Sequence, residues 1–133
     1  MGMIGGGKNA FIGAIHRIAA NMDGLVELHC GAFSSNPEIS KESGKQLFLD
    51  DDKCYISFEE MIVAESNRPV DDRMDFVTIV TPNFAHFAPA MMALKHGFHV
   101  LIDKPMTLTL DEAKQLQQKV KETGLVLCLT HTY

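Results

Sequence analysis

The stretch MGMIGGGKNAFIGAIHRIAANMDG, residues 1–24, determines the fold class that we predict for this chain. A short apolar run over residues 1–4 leads at once into three consecutive glycines, and apolar side chains then recur at helical spacing until Gly24. A strand, a glycine turn and a helix in this order form the first unit of a sheet whose parallel strands are joined by helices. The remaining sequence should therefore contain further pairs of strand and helix.

Apolar runs and helical patterns do alternate along the rest of the chain. Six strands are predicted over residues 1–4, 26–32, 54–56, 76–81, 99–102 and 125–129, and helices over 11–24, 37–47, 57–65, 89–97 and 110–124. The run FVTIVT is β-branched on both faces, as expected of a central parallel strand covered by helices. The predicted fold is α/β, with a doubly wound, mostly parallel sheet of the Rossmann type in three α/β/α layers.

Short-range signals mark where several of these helices begin. Ser57 with Glu60, and Thr109 with Glu112, have the spacing of capping boxes. Pro89 would break a helix interior, so we place it at the first position of the fourth helix.

Composition limits the possible partners. The chain has 133 residues, 46% of them hydrophobic, which suits a single domain with a real core. The net charge of −5 is mixed along the sequence, so neither nucleic acid nor a membrane surface is an expected partner. No apolar run reaches the roughly 20 residues of a membrane span, and no secretory signal precedes the first strand, which predicts a cytoplasmic protein.

Cys30, Cys54 and Cys128 are widely spaced, so we predict buried free thiols and no metal site.

The glycine turn is the first candidate binding site. Gly5-x-Gly7-x-x-Ala10 satisfies the G-x-G-x-x-G/A pattern, in which glycines let the backbone approach a pyrophosphate at the positive end of the next helix. Gly13 with His16 fits equally well as the end of the pattern, with three residues inserted, and a glycine turn without any ligand is the alternative interpretation. The candidate phosphate contacts are Gly5, Gly7, Asn9, Ala10, Phe11 and Ile12.

The end of the second strand should meet the adenosine ribose. Dinucleotide sites that select NAD usually place Asp or Glu there, whereas this chain has Ser34 and Ser35. Ser34 is the candidate ribose contact, and a pair of hydroxyls near Lys41 would accommodate the 2′-phosphate of NADP. The choice between NAD and NADP stays open, as does the possibility that both serines only turn the chain.

Polar residues follow three further predicted strands. Thr81, Lys104 and His131 each lie one strand and one helix apart, so each falls at the carboxyl tip of a strand, the edge where open parallel sheets bind ligands. This shared position favours a binding site over three unrelated solvated caps. The candidates at these tips are Thr81, Pro82, Asn83, Asp103, Lys104 and Pro105.

The stretch VTPNFAHFAPAMMALKHGFHVLIDKPMTLTLDEA, residues 80–113, closely resembles the region around the Glu-Lys-Pro motif of the Gfo/Idh/MocA oxidoreductases. Residues 5–17, GGGKNAFIGAIHR, resemble the phosphate turn of one branch of that family. The resemblance spans essentially the whole chain, because T-P-N-x-x-H, G-x-H-V-x-x-x-K-P and G-x-x-H all occur.

The resemblance implies an NAD(P)-dependent dehydrogenase or reductase that acts on a secondary alcohol of a sugar or cyclitol, as a homo-oligomer when full length. Lys104 would be the catalytic lysine beside the nicotinamide and the substrate, with Pro105 following a cis peptide. Asn83 and His86 would lie near the cofactor.

Two departures from the family pattern affect the interpretation. Asp103 stands where most members have Glu, and the family's Asp and His of a C-terminal α/β domain have no counterpart. We therefore expect residues 1–133 to be the NAD(P)-binding domain cut from a longer chain, inactive by itself. One alternative is a non-catalytic module that senses NAD(P). The other is a methyltransferase, which would need an acidic residue where this chain has Ser34.

Overall fold

The computed structural model describes residues 1–8 and 10–131 of the chain. Five strands form one sheet, namely β1 Gly2–Gly5, β2 Cys30–Ala32, β3 Phe76–Val80, β4 His99–Asp103 and β5 Leu127–Thr130. The five helices are α1 Phe11–Asn21, α2 Pro37–Gln46, α3 Phe58–Ser66, α4 Phe87–Lys95 and α5 Leu110–Thr123. Every strand pair is parallel and the order is β2-β1-β3-β4-β5, which confirms the predicted doubly wound sheet.

Apolar side chains form a separate core on each face of the sheet. Neighbouring strand residues point to opposite faces, so Ile4 packs on one face and Met3 on the other. The larger core includes side chains of α3, α4 and α5, such as Leu94 and Leu116. The smaller core joins Met3 and Phe33 to α1. The sheet is therefore the middle of three layers, as predicted.

The second predicted strand is shorter than expected, and the third forms only a single bridge. Residues 54–56 contribute only one parallel bridge, between Gly31 and Cys54, so the sheet has five named strands and not six. The second strand begins at Cys30, although the apolar pattern begins at residue 26. The paired register begins at Gly2 and Cys30, and before it Met1 bonds to this segment, accepting from the His29 N–H at 2.8 Å and donating to the Glu27 carbonyl at 2.7 Å.

Element boundaries differ from the predictions elsewhere too. Helix α4 begins at Phe87, so Pro89 is its third residue and not its first. The proline fits because the first four N–H groups of a helix have no partner inside that helix. Strands β1, β3, β4 and β5 each end one residue later or earlier than predicted, β5 begins at Leu127, and α1 ends at Asn21. Such shifts at element ends reflect fraying.

One of the two predicted capping boxes forms in full and the other forms in part. Thr109 and Glu112 form the expected reciprocal capping box. Ser57 accepts from the Glu60 N–H at 3.2 Å, but the Glu60 carboxylate accepts from the N–H of Ile56 instead of Ser57.

Cys30 and Cys54 are buried free thiols, as expected, but Cys128 is exposed. The prediction for Cys128 was wrong because this residue lies on the edge strand β5, where few neighbours cover it. Among the described residues, no helix is long and apolar enough to cross a membrane.

Candidate functional site

A groove of about 600 Å³ lies over the carboxyl ends of β1, β2 and β3. The chain passes from β1 outward to β2 and then returns to β3 on the other side of β1. Crevices of open α/β sheets form where the strand order reverses in this way, because the connections leave β1 toward opposite sides. The predicted residues that line the groove are Gly5, Gly7, Ala10, Ser34, Thr81 and Pro82.

The glycine turn forms the floor of this groove. Gly5 and Gly6 have φ values of 81° and 72°, a region that glycine adopts without steric cost. A Cβ at Gly7 would lie 2.7 Å from Ser43 Oγ and 2.9 Å from the Phe33 carbonyl oxygen, so a side chain there would collide with the protein itself. The turn accordingly presents bare backbone to the groove.

Gly13, one of the two residues that could complete the glycine pattern, packs closely against the turn. A Cβ at Gly13 would fall inside contact distance of Gly6, so Gly13 is the residue that lets α1 pack against the turn. Close packing of helix on turn is the role of the third glycine in this motif. Ala10 precedes α1 and donates its N–H to the Gly7 carbonyl at 2.9 Å. This packing favours the alignment with a three-residue insertion, which the sequence left open.

The first turn of α1 is suited to an anion. No side chain caps the helix at Ala10, and no acidic residue lies in its first turn. The first N–H groups of a helix carry partial positive charge and lack partners inside the helix. Phe11 and Ile12 belong to this turn, but the Phe11 side chain is exposed outside the groove and Ile12 packs against the smaller core. Asn9 lies outside the described residues.

Two basic side chains flank the turn. Lys8 lines the groove, and its Nζ contacts Glu42 Oε1 at 2.8 Å. Arg17 Nη1 donates to the Gly6 carbonyl at 2.8 Å and so supports the turn from behind. Partial burial lowers the pKa of Arg17 below its ordinary value. The sequence patterns did not single out Arg17, because its contact depends on α1 folding back over the turn.

The end of β2 contributes hydroxyl groups, as predicted. Ser34 and Ser35 line the groove, and Ser34 Oγ accepts from the Asn36 N–H at 3.1 Å. Lys41 is exposed and does not line the groove.

Glu59 lines the same groove, and sequence reasoning missed it. It reaches the groove because the bridge between Gly31 and Cys54 runs parallel to β2, so the chain after Cys54 leaves the sheet at the carboxyl edge. No local signal could have identified Glu59, because the bridge joins residues that are distant in sequence.

The end of β3 closes the other side of the groove. Thr81 Oγ1 donates to the Ala85 carbonyl at 3.1 Å, which holds a short 3₁₀ helix over Asn83–Ala85. Thr81, Pro82, Phe84 and Ala85 line the groove. Asn83 is exposed next to this lining but does not belong to it.

His86 lies beneath these residues and outside the groove lining. Its side chain is 1% exposed, and its two ring nitrogens face the carbonyl oxygens of Thr81 and Pro105. It therefore connects the tip of β3 to the turn after β4.

Lys104 begins the turn after β4, on the strand next to β3. It is half-buried and does not line the 600 Å³ groove, and the peptide bond between Lys104 and Pro105 is cis.

Asp103 is buried, with its Oδ1 accepting from Thr130 Oγ1 at 2.9 Å and lying 3.5 Å from His16 Nε2. The Asp103 carboxylate, which stands where most family members have Glu, therefore has partners on β5 and α1. His131 follows β5 and is exposed.

No group of three or more His, Cys, Asp or Glu side chains within residues 1–8 and 10–131 is arranged to hold a metal ion.

The glycine turn, the groove at the reversal of strand order and the parallel sheet together define a dinucleotide-binding domain of the Rossmann class. The family model "Oxidoreductase family, NAD-binding Rossmann fold", that of Gfo/Idh/MocA, matches residues 1–131. The chain belongs to this family and is an NAD-binding oxidoreductase domain, which confirms the resemblance found in the sequence.

Solved structures and a curated relative agree with this assignment. An inositol dehydrogenase homolog from Azotobacter vinelandii, complexed with NADH and myo-inositol, is 39% identical, with a TM-score of 0.93 over 97% of this chain and 34% of that chain. An oxidoreductase from Sinorhizobium meliloti is 45% identical, with a TM-score of 0.89 over 98% of this chain and 36% of that chain. UDP-N-acetylglucosamine 3-dehydrogenase from Acidithiobacillus ferrooxidans is 31% identical over 90% of this chain. The chain spans about a third of the length of each of these proteins.

Proposed function

We propose that this chain is the NAD(P)-binding part of a dehydrogenase or reductase that acts on a secondary alcohol of a sugar or cyclitol. The observation that carries the proposal is the position of Lys104, at the carboxyl edge of β4, beside the strand whose tip closes the dinucleotide groove. Two relatives support the substrate class, since one is complexed with myo-inositol and another is named for a nucleotide sugar.

The residues of the groove fit a dinucleotide. Its volume of about 600 Å³ lies within the range of about 300–1,000 Å³ that is usual for small-molecule sites. The backbone of Gly5 and Gly7 and the N–H groups of Phe11 and Ile12 would hold the pyrophosphate, together with Asn9 and Ala10. Ser34 would contact the adenosine ribose. Thr81, Pro82 and Asn83 would lie along the path to the nicotinamide, which ends near Asp103, Lys104 and Pro105.

The cofactor would supply the hydride chemistry when bound. Lys104 would donate a hydrogen bond from its ammonium group to the oxygen of the reacting alcohol or ketone. Negative charge develops on this oxygen during reduction, and a positioned cation stabilises it. Asp103 would hold the base of the turn through Thr130 and His16.

We also propose that this domain binds the cofactor without turning a substrate over. A reacting group must be held within about 3–3.5 Å of its partner, and such positioning supplies roughly 7–11 kcal/mol of barrier lowering. The dinucleotide groove lies over β1, β2 and β3, and Lys104 on the β4 edge does not line it. The substrate side would come from the rest of the full-length protein.

The test combines a binding measurement with an activity measurement. The chain is titrated with NADH and with NADPH, followed by cofactor fluorescence, and absorbance at the reduced-cofactor band is then monitored with a panel of polyols and sugars. The same panel is repeated with the full-length protein and its Lys104→Met variant. We expect binding by the domain, turnover by the full-length protein only, and loss of turnover in the variant with cofactor still bound.

Three results would contradict the proposal in different ways. Robust turnover by the domain alone would show that the active site is already complete. Unchanged turnover in Lys104→Met would remove Lys104 from catalysis. Cofactor binding without turnover of any polyol or sugar by the full-length protein would favour the NAD(P)-sensing module.

A further inference from the structure

Helix α2 packs closely on its neighbours through small residues. Its buried residues are Ser40, Ser43 and Gly44. A Cβ at Gly44 would collide with the side chain of Cys54, so a larger residue would force α2 away or displace Cys54. Ser40 bonds to the chain just after β2, with its Oγ accepting from the Phe33 N–H at 2.8 Å. The close approach of α2 therefore brings serine hydroxyl groups within reach of backbone groups on other elements.

Ser43 connects this helix to the glycine turn. Its side chain is 2% exposed, and its Oγ accepts from the Lys8 N–H at 3.0 Å and donates to the Ile39 carbonyl at 2.7 Å. The hydroxyl hydrogen and an oxygen lone pair thus both have partners. The adjacent residue, Glu42, contacts the Lys8 ammonium group at 2.8 Å. Helix α2 therefore holds Lys8 by its backbone and by its side chain.

The turn is closed by hydrogen bonds inside the protein. The Gly7 N–H donates to the Phe33 carbonyl at 3.2 Å, and the Ala10 N–H donates to the Gly7 carbonyl at 2.9 Å. These two bonds join backbone groups, whereas the bond of the Lys8 N–H needs the side chain of Ser43. The shape of the turn is thus fixed before a ligand binds, and the Ser43 hydroxyl is a part of this support that a substitution can remove.

We propose that Ser43 is a positioning residue for the pyrophosphate of the dinucleotide. It acts through the Lys8 N–H and does not itself line the groove over β1, β2 and β3. The inference rests on the proposed function in one respect, namely that this groove holds NAD(P).

The loss of the hydroxyl would change the turn for a physical reason. Without Ser43 Oγ the Lys8 N–H loses its acceptor, and a backbone N–H without a partner is costly where water is largely excluded. The turn then moves toward another acceptor, and the bare backbone at Gly5 and Gly7 leaves the arrangement that a pyrophosphate approaches. Binding has to restore that arrangement, and the cost of ordering the turn lowers the affinity.

Amide hydrogen exchange of the chain without cofactor measures this bond directly. We expect the Lys8 N–H to be protected in the wild type and to exchange at least about tenfold faster in Ser43→Ala. Thr109→Ala is the matched control, because Thr109 also accepts from a backbone N–H, that of Glu112 at 3.2 Å, but at the start of α5. A Lys8 amide without protection in the wild type, or equal acceleration in the two variants, would overturn the proposal.

The wild-type part of this measurement needs no variant and no cofactor. It therefore stands if Ser43→Ala does not fold, and its failure is separate from failure of the proposed function.

Positioning is measured by titration with three ligands that share the adenosine group, namely NADH, ADP-ribose and adenosine. We expect Ser43→Ala to raise the Kd for NADH and for ADP-ribose by about tenfold each, and to leave that for adenosine, which has no phosphate, within about twofold. Thr109→Ala should leave all three close to wild type. An equal loss for adenosine would show a general distortion of the groove and would overturn the positioning role, as would an unchanged Kd for NADH.

Discussion

The amino edge of the sheet and the part of the carboxyl edge over β1, β2 and β3 use charged and polar groups in opposite ways. At the amino edge, Glu65 is fully buried, and its oxygens accept from Tyr55 Oη at 2.8 Å and from the Met74 N–H at 2.9 Å. Arg68 Nε lies 3.2 Å and His29 Nε2 lies 3.3 Å from the same carboxylate. Burial, and then the hydrogen bond to Glu65, raise the pKa of Tyr55. Among the described residues, every buried side-chain nitrogen and oxygen at this edge has a hydrogen-bond partner.

At the carboxyl edge, backbone groups face a groove. The first turn of α1 has no side-chain cap, and the glycine turn presents no side chain of its own. The difference teaches that a polar cluster whose members bind each other stabilises the fold, whereas donors directed into a groove are available to a ligand. Each edge therefore predicts a different response to mutation.

The largest expected effect is at the amino edge, with Glu65→Ala. This change leaves the hydroxyl of Tyr55, the Met74 N–H and the guanidinium of Arg68 with fewer partners in a buried place. Removing one partner of such a cluster costs about 3–5 kcal/mol of unfolding free energy. Urea unfolding measures it, with Glu59→Ala on the same helix as the control. A loss no greater than that of the control would mean that the amino edge is not a stabilising cluster.

The second expected effect is at the carboxyl edge, with Gly7→Ala. The added Cβ would meet Ser43 Oγ and the Phe33 carbonyl, so the turn must shift away from the phosphate position. We expect the Kd for NADH to rise at least about tenfold, equivalent to about 1.4 kcal/mol. Gly24→Ala is the control, because an added Cβ at Gly24 meets no atom within 4 Å, while its φ of 67° makes alanine unfavourable there for a reason unrelated to the groove. Equal affinity in the two variants would contradict the assignment of the turn.

A smaller effect is expected from Glu59→Gln, also at the carboxyl edge. Glu59 is the acidic residue among those that line the groove, and its charge would oppose a 2′-phosphate. Because Glu59 is exposed, we expect the change to favour NADPH over NADH by about 1 kcal/mol at most, less at high salt. Asp111→Asn, in the first turn of α5, removes the same charge far from the groove. A ratio of affinities that moves equally in both variants would exclude a local role for Glu59.

The smallest effect is the acid response of the amino edge. The hydrogen bond from Arg68 lowers the pKa of Asp52, and that from Lys53, followed by Arg68, lowers the pKa of Asp72. A carboxylate with a lowered folded-state pKa contributes stability above its unfolded value, near 3.8, and loses it as pH falls through the folded value.

Thermal unfolding between pH 7 and pH 2.5 should therefore show a smaller acid-induced loss in Asp52→Asn than in the wild type, with NADH affinity at pH 7 unchanged. Both carboxylates are exposed, so the effect should be small and should shrink with salt. An identical acid profile in the variant would mean that the surface pairs contribute nothing measurable.

Much of the architecture follows from local sequence. Alternation of apolar runs and helical patterns was sufficient for the parallel sheet, and Thr109 with Glu112 was sufficient for the start of α5. The glycine turn was predicted because glycines between an apolar run and a helical pattern allow a tight turn between a strand and a helix. The strand tips placed Thr81 and Lys104 on one edge because parallel strands all end on the same side.

Only the tertiary structure decided which groups meet. Gly13 packs on Gly6, Glu59 reaches the groove through the Gly31–Cys54 bridge, and His86 lies between two carbonyl groups that are 24 positions apart in sequence. Local patterns report which way a side chain points along its own strand or helix, with periods of about 2 and 3.6 residues. They carry no information about the neighbour that a side chain meets, because that neighbour is set by strand order and by how closely each helix packs on the sheet.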